Sequence, residues 1–250
     1  MSAYEPLAAW YDALTQDVDY SAFADFYERV FHTVSGEMHT LLDLCCGTGT
    51  LTCLMAGRGY EMIAADASPE MLMQAQSKAA SLPEGSTPPL LLCQRADELD
   101  LYGTVDAAYC SLDGMNYLTP GELTETLRRL RLFIRPEGLY VFDVRTPESF
   151  AALDGSTFVD ENEDVLCLWR ADYDGEVGVI RYGMDLFERR GQLWEREREE
   201  HIEYAHSMDW LAHALADAGF DQVRVHSDTP QYDAGRRFLT ARRAPDQEGR

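Results

Sequence analysis

Leu41-Leu42-Asp43-Leu44-Cys45-Cys46-Gly47-Thr48-Gly49-Thr50-Leu51-Thr52 is the stretch on which the reading of this chain turns. Its apolar start reads as a buried strand, Gly47-Thr48-Gly49 as a tight turn, and the residues from about Leu51 as a helix. A second apolar run, Tyr60 to Ala65, ends on Asp66, about 20 residues beyond the turn. Strand, glycine turn, helix and acid-tipped strand form a nucleotide-binding βαβ unit. Gly47 and Gly49 let the backbone approach a ligand, and Asp66 can accept hydrogen bonds from ribose hydroxyls.

Two cofactor classes use such a unit. A dinucleotide site wants a third glycine at position 52, for close helix packing and a pyrophosphate at the helix N-terminus; this chain has Thr52. Asp43, on the strand before the turn, would repel a phosphate. Both residues disfavour a nicotinamide-dependent oxidoreductase. An acid at position 43 suits instead a ligand with an ammonium group and no phosphates, namely S-adenosylmethionine. The pattern Asp43-x-Cys45-x-Gly47-x-Gly49 resembles the first motif of the class I S-adenosylmethionine-dependent methyltransferases. It departs from that motif at Cys45, where the family more often has glycine or alanine.

Composition narrows the field. At 250 residues and 46% hydrophobic, the chain can bury one sizeable core with an embellishment. The net charge of −23 argues against nucleic acid or an anionic membrane as partner, since both demand a basic footprint. The N-terminus lacks the basic start and apolar stretch of a signal peptide, and no apolar run is long enough to span a bilayer. A cytoplasmic protein is expected. The six cysteines contain no C-x-x-C pair and the six histidines no metal-ligand spacing, so buried reduced thiols and no metal site are expected.

Strand and helix signals alternate through the first part of the chain. Residues 20–34 carry a helical apolar stripe, and Ser68-Pro69-Glu70 opens a helix with a cap, a first-turn proline and an acid facing the dipole. Leu90 to Cys93 and Val105 to Leu112 are further strands. Thr119-Pro120-Gly121-Glu122 has capping-box spacing and starts a helix with Leu123, Leu127 and Leu130 on one face. Arg135-Pro136-Glu137-Gly138 then turns into a fifth strand, Leu139 to Val144. This alternation predicts an α/β fold, a Rossmann-like doubly wound parallel sheet.

The rhythm changes after Pro147. Val165 to Tyr173, Val177 to Glu188 and Leu193 to Tyr204 are extended candidates separated by glycine turns, although Trp194 to Glu200 also fits a solvated helix. Residues 151–206 are read as an inserted antiparallel sheet of three strands. A helix at Met208 to Ala218 and strands at Gln222 to His226 and Arg237 to Ala241 complete a seven-stranded core. The organisation is thus a core of residues 1–150 and 207–243 with the insertion between.

The family resemblance covers roughly residues 40–146 and 207–243, and it implies roles. Gly47 and Gly49 would face the methionine and ribose part of the cofactor, Asp66 the ribose hydroxyls, and Asp97 the adenine amino group. Ser111, Leu112 and Asp113 close the fourth strand, where such enzymes hold the cofactor edge. The lead-in Tyr11 to Leu14 with Val18 to Tyr20 looks like that of small-molecule methyltransferases carrying a sheet-like lid. There Tyr20 first and Tyr11 second would approach the cofactor; both also fit plain amphipathic core positions. Asn116 and Tyr117 lie on the expected acceptor side, to orient a substrate or to cap the next helix. Should the acceptor need a base, His206 and Asp113 are the candidates.

The resemblance therefore implies methyl transfer to a small-molecule acceptor by in-line displacement, with the insertion as lid and candidate homodimer contact. Competing readings are a transfer-RNA or protein methyltransferase and a non-catalytic S-adenosylmethionine-binding module.

Overall fold

The computed structural model describes residues 6–34, 36–230 and 235–246. Its strands along the chain are β1 (Thr40–Leu44), β2 (Glu61–Asp66), β3 (Leu90–Cys93), β4 (Val105–Cys110), β5 (Ile134–Arg145) and β6 (Thr157–Glu161). They continue as β7 (Val165–Asp174), β8 (Val179–Arg190), β9 (Leu193–Tyr204), β10 (Phe220–His226) and β11 (Arg236–Arg243). The α-helices are α1 (Tyr11–Leu14), α2 (Tyr20–Phe31), α3 (Thr50–Gly57), α4 (Pro69–Ala79), α5 (Pro120–Phe133), α6 (Pro147–Leu153) and α7 (Met208–Asp217).

Seven strands form one sheet in the order β10-β11-β5-β4-β1-β2-β3. Neighbours among β1 to β5 run parallel, while β11 pairs antiparallel with both β5 and β10. Alternate residues of the central strands enter two cores. Leu42, Leu44, Ala108, Tyr140 and Phe142 pack against α5 and α7; Leu41, Tyr109 and Val141 pack with Phe23, Tyr27 and Met55 of α2 and α3. Burial on both faces is why these strands read as continuous apolar runs. Strand order reverses between β1 and β4, which opens a crevice at their carboxyl ends.

Local chemistry fixes the helix starts. The Ser68 hydroxyl accepts the Met71 amide at the head of α4, and Thr119 with Glu122 forms the full capping box of α5. β5 begins at Ile134, earlier than Leu139, because its register with β4 shifts and Glu137 takes a left-handed φ of 65°. Arg135 to Gly138 form a bulge between the paired residues Ile134 and Leu139.

The second sheet is antiparallel in the order β6-β7-β8-β9, four strands and not the expected three. The additional strand, β6, is largely exposed and lacks the apolar alternation by which the others are recognisable. β9 is a strand throughout: Glu195 to Glu200 pair in register with β8, which resolves the alternative of a solvated helix. Helix α6 runs across position 151, so the first residues of the expected insertion continue a helix begun at Pro147. Leu7 packs with Val165, Cys167, Met184 and Leu186, flanked by Trp10, Tyr11 and Leu14. The N-terminal segment thus shares its core with the second sheet, although the sequence reading grouped it with the first. No helix among the described residues is long and apolar enough to cross a membrane.

Candidate active site

The crevice at the ends of β1 and β4 is a cavity of about 490 Å³. Its rim brings together Tyr11, Tyr20, Asp43, Gly47, Asp66, Asp97, Ser111, Leu112 and Tyr117, residues drawn from distant parts of the chain. Asp43 is buried at the end of β1, where Oδ2 accepts from the Thr52 hydroxyl at 2.5 Å and from the Tyr109 hydroxyl at 3.2 Å. Burial lifts its carboxyl to about 7, against the lowering effect of those two hydrogen bonds. Asp66 is the brace of the glycine turn. Its Oδ2 accepts the Gly47 amide and its Oδ1 the Ser68 amide, each at 2.8 Å. Burial raises its pKa and those amide bonds oppose the rise.

Charge decides which ligand fits. Asp43, Asp66, Asp97 and Glu122 line the cavity, against a single cation among the described residues, Arg95. That guanidinium is already paired, with Asp97 at 3.0 Å and Glu122 at 2.5 Å. A pyrophosphate would meet carboxylates here. A cationic ligand without phosphates would meet instead buried acids at the ends of β1 and β2 and apolar walls from Leu44, Leu51, Met71 and Leu112.

Gly49 does not line the cavity. Its φ is 71°, and a Cβ there would lie 2.7 Å from the Ala75 Cβ of α4. It therefore performs the close helix packing that a dinucleotide fold assigns to its third glycine, which frees position 52 for the Thr52 hydroxyl. Cys45, the departure from the family pattern, has φ 57°, a conformation natural to glycine. Asp97 lies at the cavity with both carboxylate oxygens bonded to Arg95.

Three acceptor-side candidates are placed elsewhere. Asn116 is fully buried and clamps backbone: its amide donates to the Arg145 and Tyr204 carbonyls and accepts the Arg145 amide. That bonding ties β5 to β9 and corrects the substrate-binding expectation. His206 is buried against Trp210, with Nε2 donating to the Leu118 carbonyl at 3.0 Å. Burial depresses its pKa to about 4, and the ring does not reach the cavity. Asp113 is ion-paired to Arg145 at 2.7 Å and Arg236 at 3.0 Å, also away from the cavity lining. Neither is positioned as a base.

Sequence reasoning missed the latch over the glycine turn. Asp12 of α1 accepts from Thr48 at 2.7 Å and pairs with Lys78 of α4 at 2.6 Å, while Lys78 also donates to Thr48 at 2.8 Å. Only the tertiary meeting of α1, the turn and α4 creates this set. Also unforeseen was His201 of β9, buried, with Nδ1 3.3 Å from the Tyr117 hydroxyl. Among the described residues no group of three or more His, Cys, Asp or Glu is placed to hold a metal ion.

Residues 41–138 match the methyltransferase-domain family. Over 248 residues the chain is 29% identical to YqeM of Bacillus subtilis (strain 168), a methyltransferase by name, covering 96% of this chain and 97% of that one. An S-adenosylmethionine-dependent methyltransferase structure from Clostridium acetobutylicum superposes with a TM-score of 0.81 at 24% identity, over 96% of this chain and 99% of that one. An S-adenosylmethionine-bound amino pentose methyltransferase from Micromonospora echinaspora gives 0.76 at 22% identity, over 94% and 96%. Residues 41–138 are thus a methyltransferase domain, and the whole fold is that of the class I S-adenosylmethionine-dependent methyltransferases. Its cofactor is S-adenosylmethionine, and its methyltransferase domain spans the glycine turn through the fifth strand's first half.

Proposed function

We propose that this enzyme methylates a small molecule that enters between the carboxyl edge of the main sheet and the second sheet, which acts as its lid. The observation that carries this reading is the position of Tyr117. It lines the cofactor cavity, while its hydroxyl lies 3.3 Å from His201 in the second sheet. A molecule reaching the methyl group from that side is walled by both sheets. Residues 1–150 and 207–243 then hold the cofactor, and residues 151–206, together with the N-terminal segment packed on them, cover the acceptor.

The bound cofactor supplies an activated methyl group, so the protein's task is alignment and exclusion of water. Asp43 would hold the ammonium end, Asp66 the ribose, Asp97 the adenine edge, and Tyr11 and Tyr20 would close over the methionine part. These residues would align an acceptor lone pair with the methyl group and keep water out of the cavity. A proton leaving the acceptor would pass to solvent; the Tyr117 hydroxyl is oriented there by the His201 imidazole, which burial keeps neutral by depressing its pKa to about 4. The amino pentose specificity of one structural neighbour makes amino sugars the first acceptors to assay. A cytoplasmic setting belongs to the same proposal, since all six cysteines are free thiols.

The test is turnover. Purified protein, S-adenosylmethionine and fractionated metabolites or amino sugars are incubated, and S-adenosylhomocysteine and the methylated product are read by mass spectrometry. Methylation of transfer RNA or protein alone, with no small-molecule product, would replace this reading. S-adenosylhomocysteine binding without any turnover would make the chain a binding module.

A further inference from the structure

Leu112 and Asp113, which leave β4 at the cavity, both hold left-handed backbone, with φ of 57° and 55°. Two successive non-glycine residues in this region are strained, and a leucine has no side-chain hydrogen bond to offset it. The compensation comes from another strand. Asp143, fully buried near the end of β5, accepts the Leu112 amide on Oδ1 and the Asp113 amide on Oδ2, each at 2.8 Å. Arg236, at the start of β11, donates through Nη1 to Asp143 Oδ2 at 2.5 Å and lies 3.0 Å from Asp113 Oδ1. Arg145 pairs with the other oxygen of Asp113 at 2.7 Å. Ser111, Leu112 and Gly114, on either side of the strained peptide, line the cavity; Asp143 does not.

We propose that Asp143, held by Arg236, is a positioning residue for methyl transfer: it keeps the Leu112–Asp113 turn in the left-handed form that presents Ser111, Leu112 and Gly114 to the cofactor. The carboxylate touches no ligand. It acts through two backbone amides, and because Arg236 belongs to β11 it makes a strand from the far end of the chain part of the cofactor site. Burial pushes the Asp143 carboxyl upward and the Arg236 guanidinium opposes that rise, so the ion pair sustains the charge that both amides need.

The molecule contains its own control. Asp106, at the opposite end of the same sheet, likewise accepts two successive amides, His39 at 2.7 Å and Thr40 at 2.9 Å, and pairs with Arg135 at 2.7 Å. None of those residues lines the cavity. Asp143→Asn and Asp106→Asn in the full chain each remove the negative charge that holds two backbone amides and an arginine, but only the first should disturb ligand binding.

The measurements are S-adenosylhomocysteine affinity by calorimetry and thermal unfolding of each variant. Both variants are expected to melt lower than the parent. Asp143→Asn should bind at least fivefold more weakly, whereas Asp106→Asn should stay within twofold. Equal affinities for the two variants, with the ligand bound as by the parent, overturn the proposal. If Asp143→Asn does not fold, Arg236→Gln is judged by the same fivefold criterion. Hydrogen exchange on that variant should also speed at the Leu112 and Asp113 amides while the β1 amides stay protected; unchanged exchange at those two amides counts against the proposal.

Discussion

The hydroxyl of Thr52 donates to Asp43 Oδ2 at 2.5 Å, so the residue standing where a dinucleotide fold keeps glycine serves the buried carboxylate at the end of β1. The pairing neutralises nothing. Asp43 remains a buried acid whose pKa burial lifts from 3.8 to about 7.

That shift predicts a pH profile. A cofactor ammonium group favours the ionised carboxylate, so S-adenosylhomocysteine affinity should rise as pH passes through about 7. Binding at pH 6 should be about tenfold weaker than at pH 8, and Asp43→Asn should flatten the profile. For folding the sign is opposite. The folded-state pKa is raised, so Asp43's contribution to stability is complete below 3.8 and is lost as pH climbs to about 7. Calorimetry across this window checks the binding arm, and equal affinity at both pH values would remove Asp43 from the ammonium site.

Asp66→Ala removes the acceptor of the Gly47 and Ser68 amides together with the ribose partner. It should weaken S-adenosylhomocysteine binding by about 1–3 kcal/mol, the range for losing a charged hydrogen-bond partner. Titration calorimetry reads this directly, and an unchanged affinity would place the ribose elsewhere.

The two turn glycines should respond differently to alanine. Gly47 has φ 54° with open space around a Cβ, so Gly47→Ala bears only the left-handed backbone cost, about 1–2 kcal/mol. Gly49→Ala adds a clash with Ala75 at 2.7 Å and should destabilise more. Denaturant unfolding decides it, and Ala75→Gly should recover part of the Gly49→Ala loss alone.

Transfer RNA should bind negligibly at physiological salt. The densest basic cluster in the sequence, around Arg128 and Arg129, is spent within α5, where both side chains pair with Glu125, at 3.5 and 3.2 Å. Few phosphates would be neutralised, so counterion release contributes little. Filter binding with total transfer RNA tests this; submicromolar binding abolished by Arg128→Glu with Arg129→Glu would favour an RNA acceptor.

What could be read beforehand was what nearby residues decide. The Gly47 turn, the acid at position 66, the Ser68 cap and the Thr119–Glu122 box are set by neighbours in the chain, and each stands in the structure as its residues suggest. The illegible features depend on partners far away in sequence. Gly49 is dictated by Ala75, Asn116 by the Arg145 and Tyr204 carbonyls, and Asp12 by Lys78. β6 escaped notice because pairing with β7, not an apolar face, makes it a strand. Cys45 carried a legible hint: a non-glycine at a glycine-favoured position occupies left-handed backbone.

The seating of Leu7 among Val165, Met184 and Leu186 makes the threshold of the cavity and the second sheet one mechanical body. Tyr11 stands on that threshold, and Asp12 bolts it to Thr48 and Lys78. If the second sheet is the proposed lid, lifting this body to release spent cofactor would also uncover the acceptor's side.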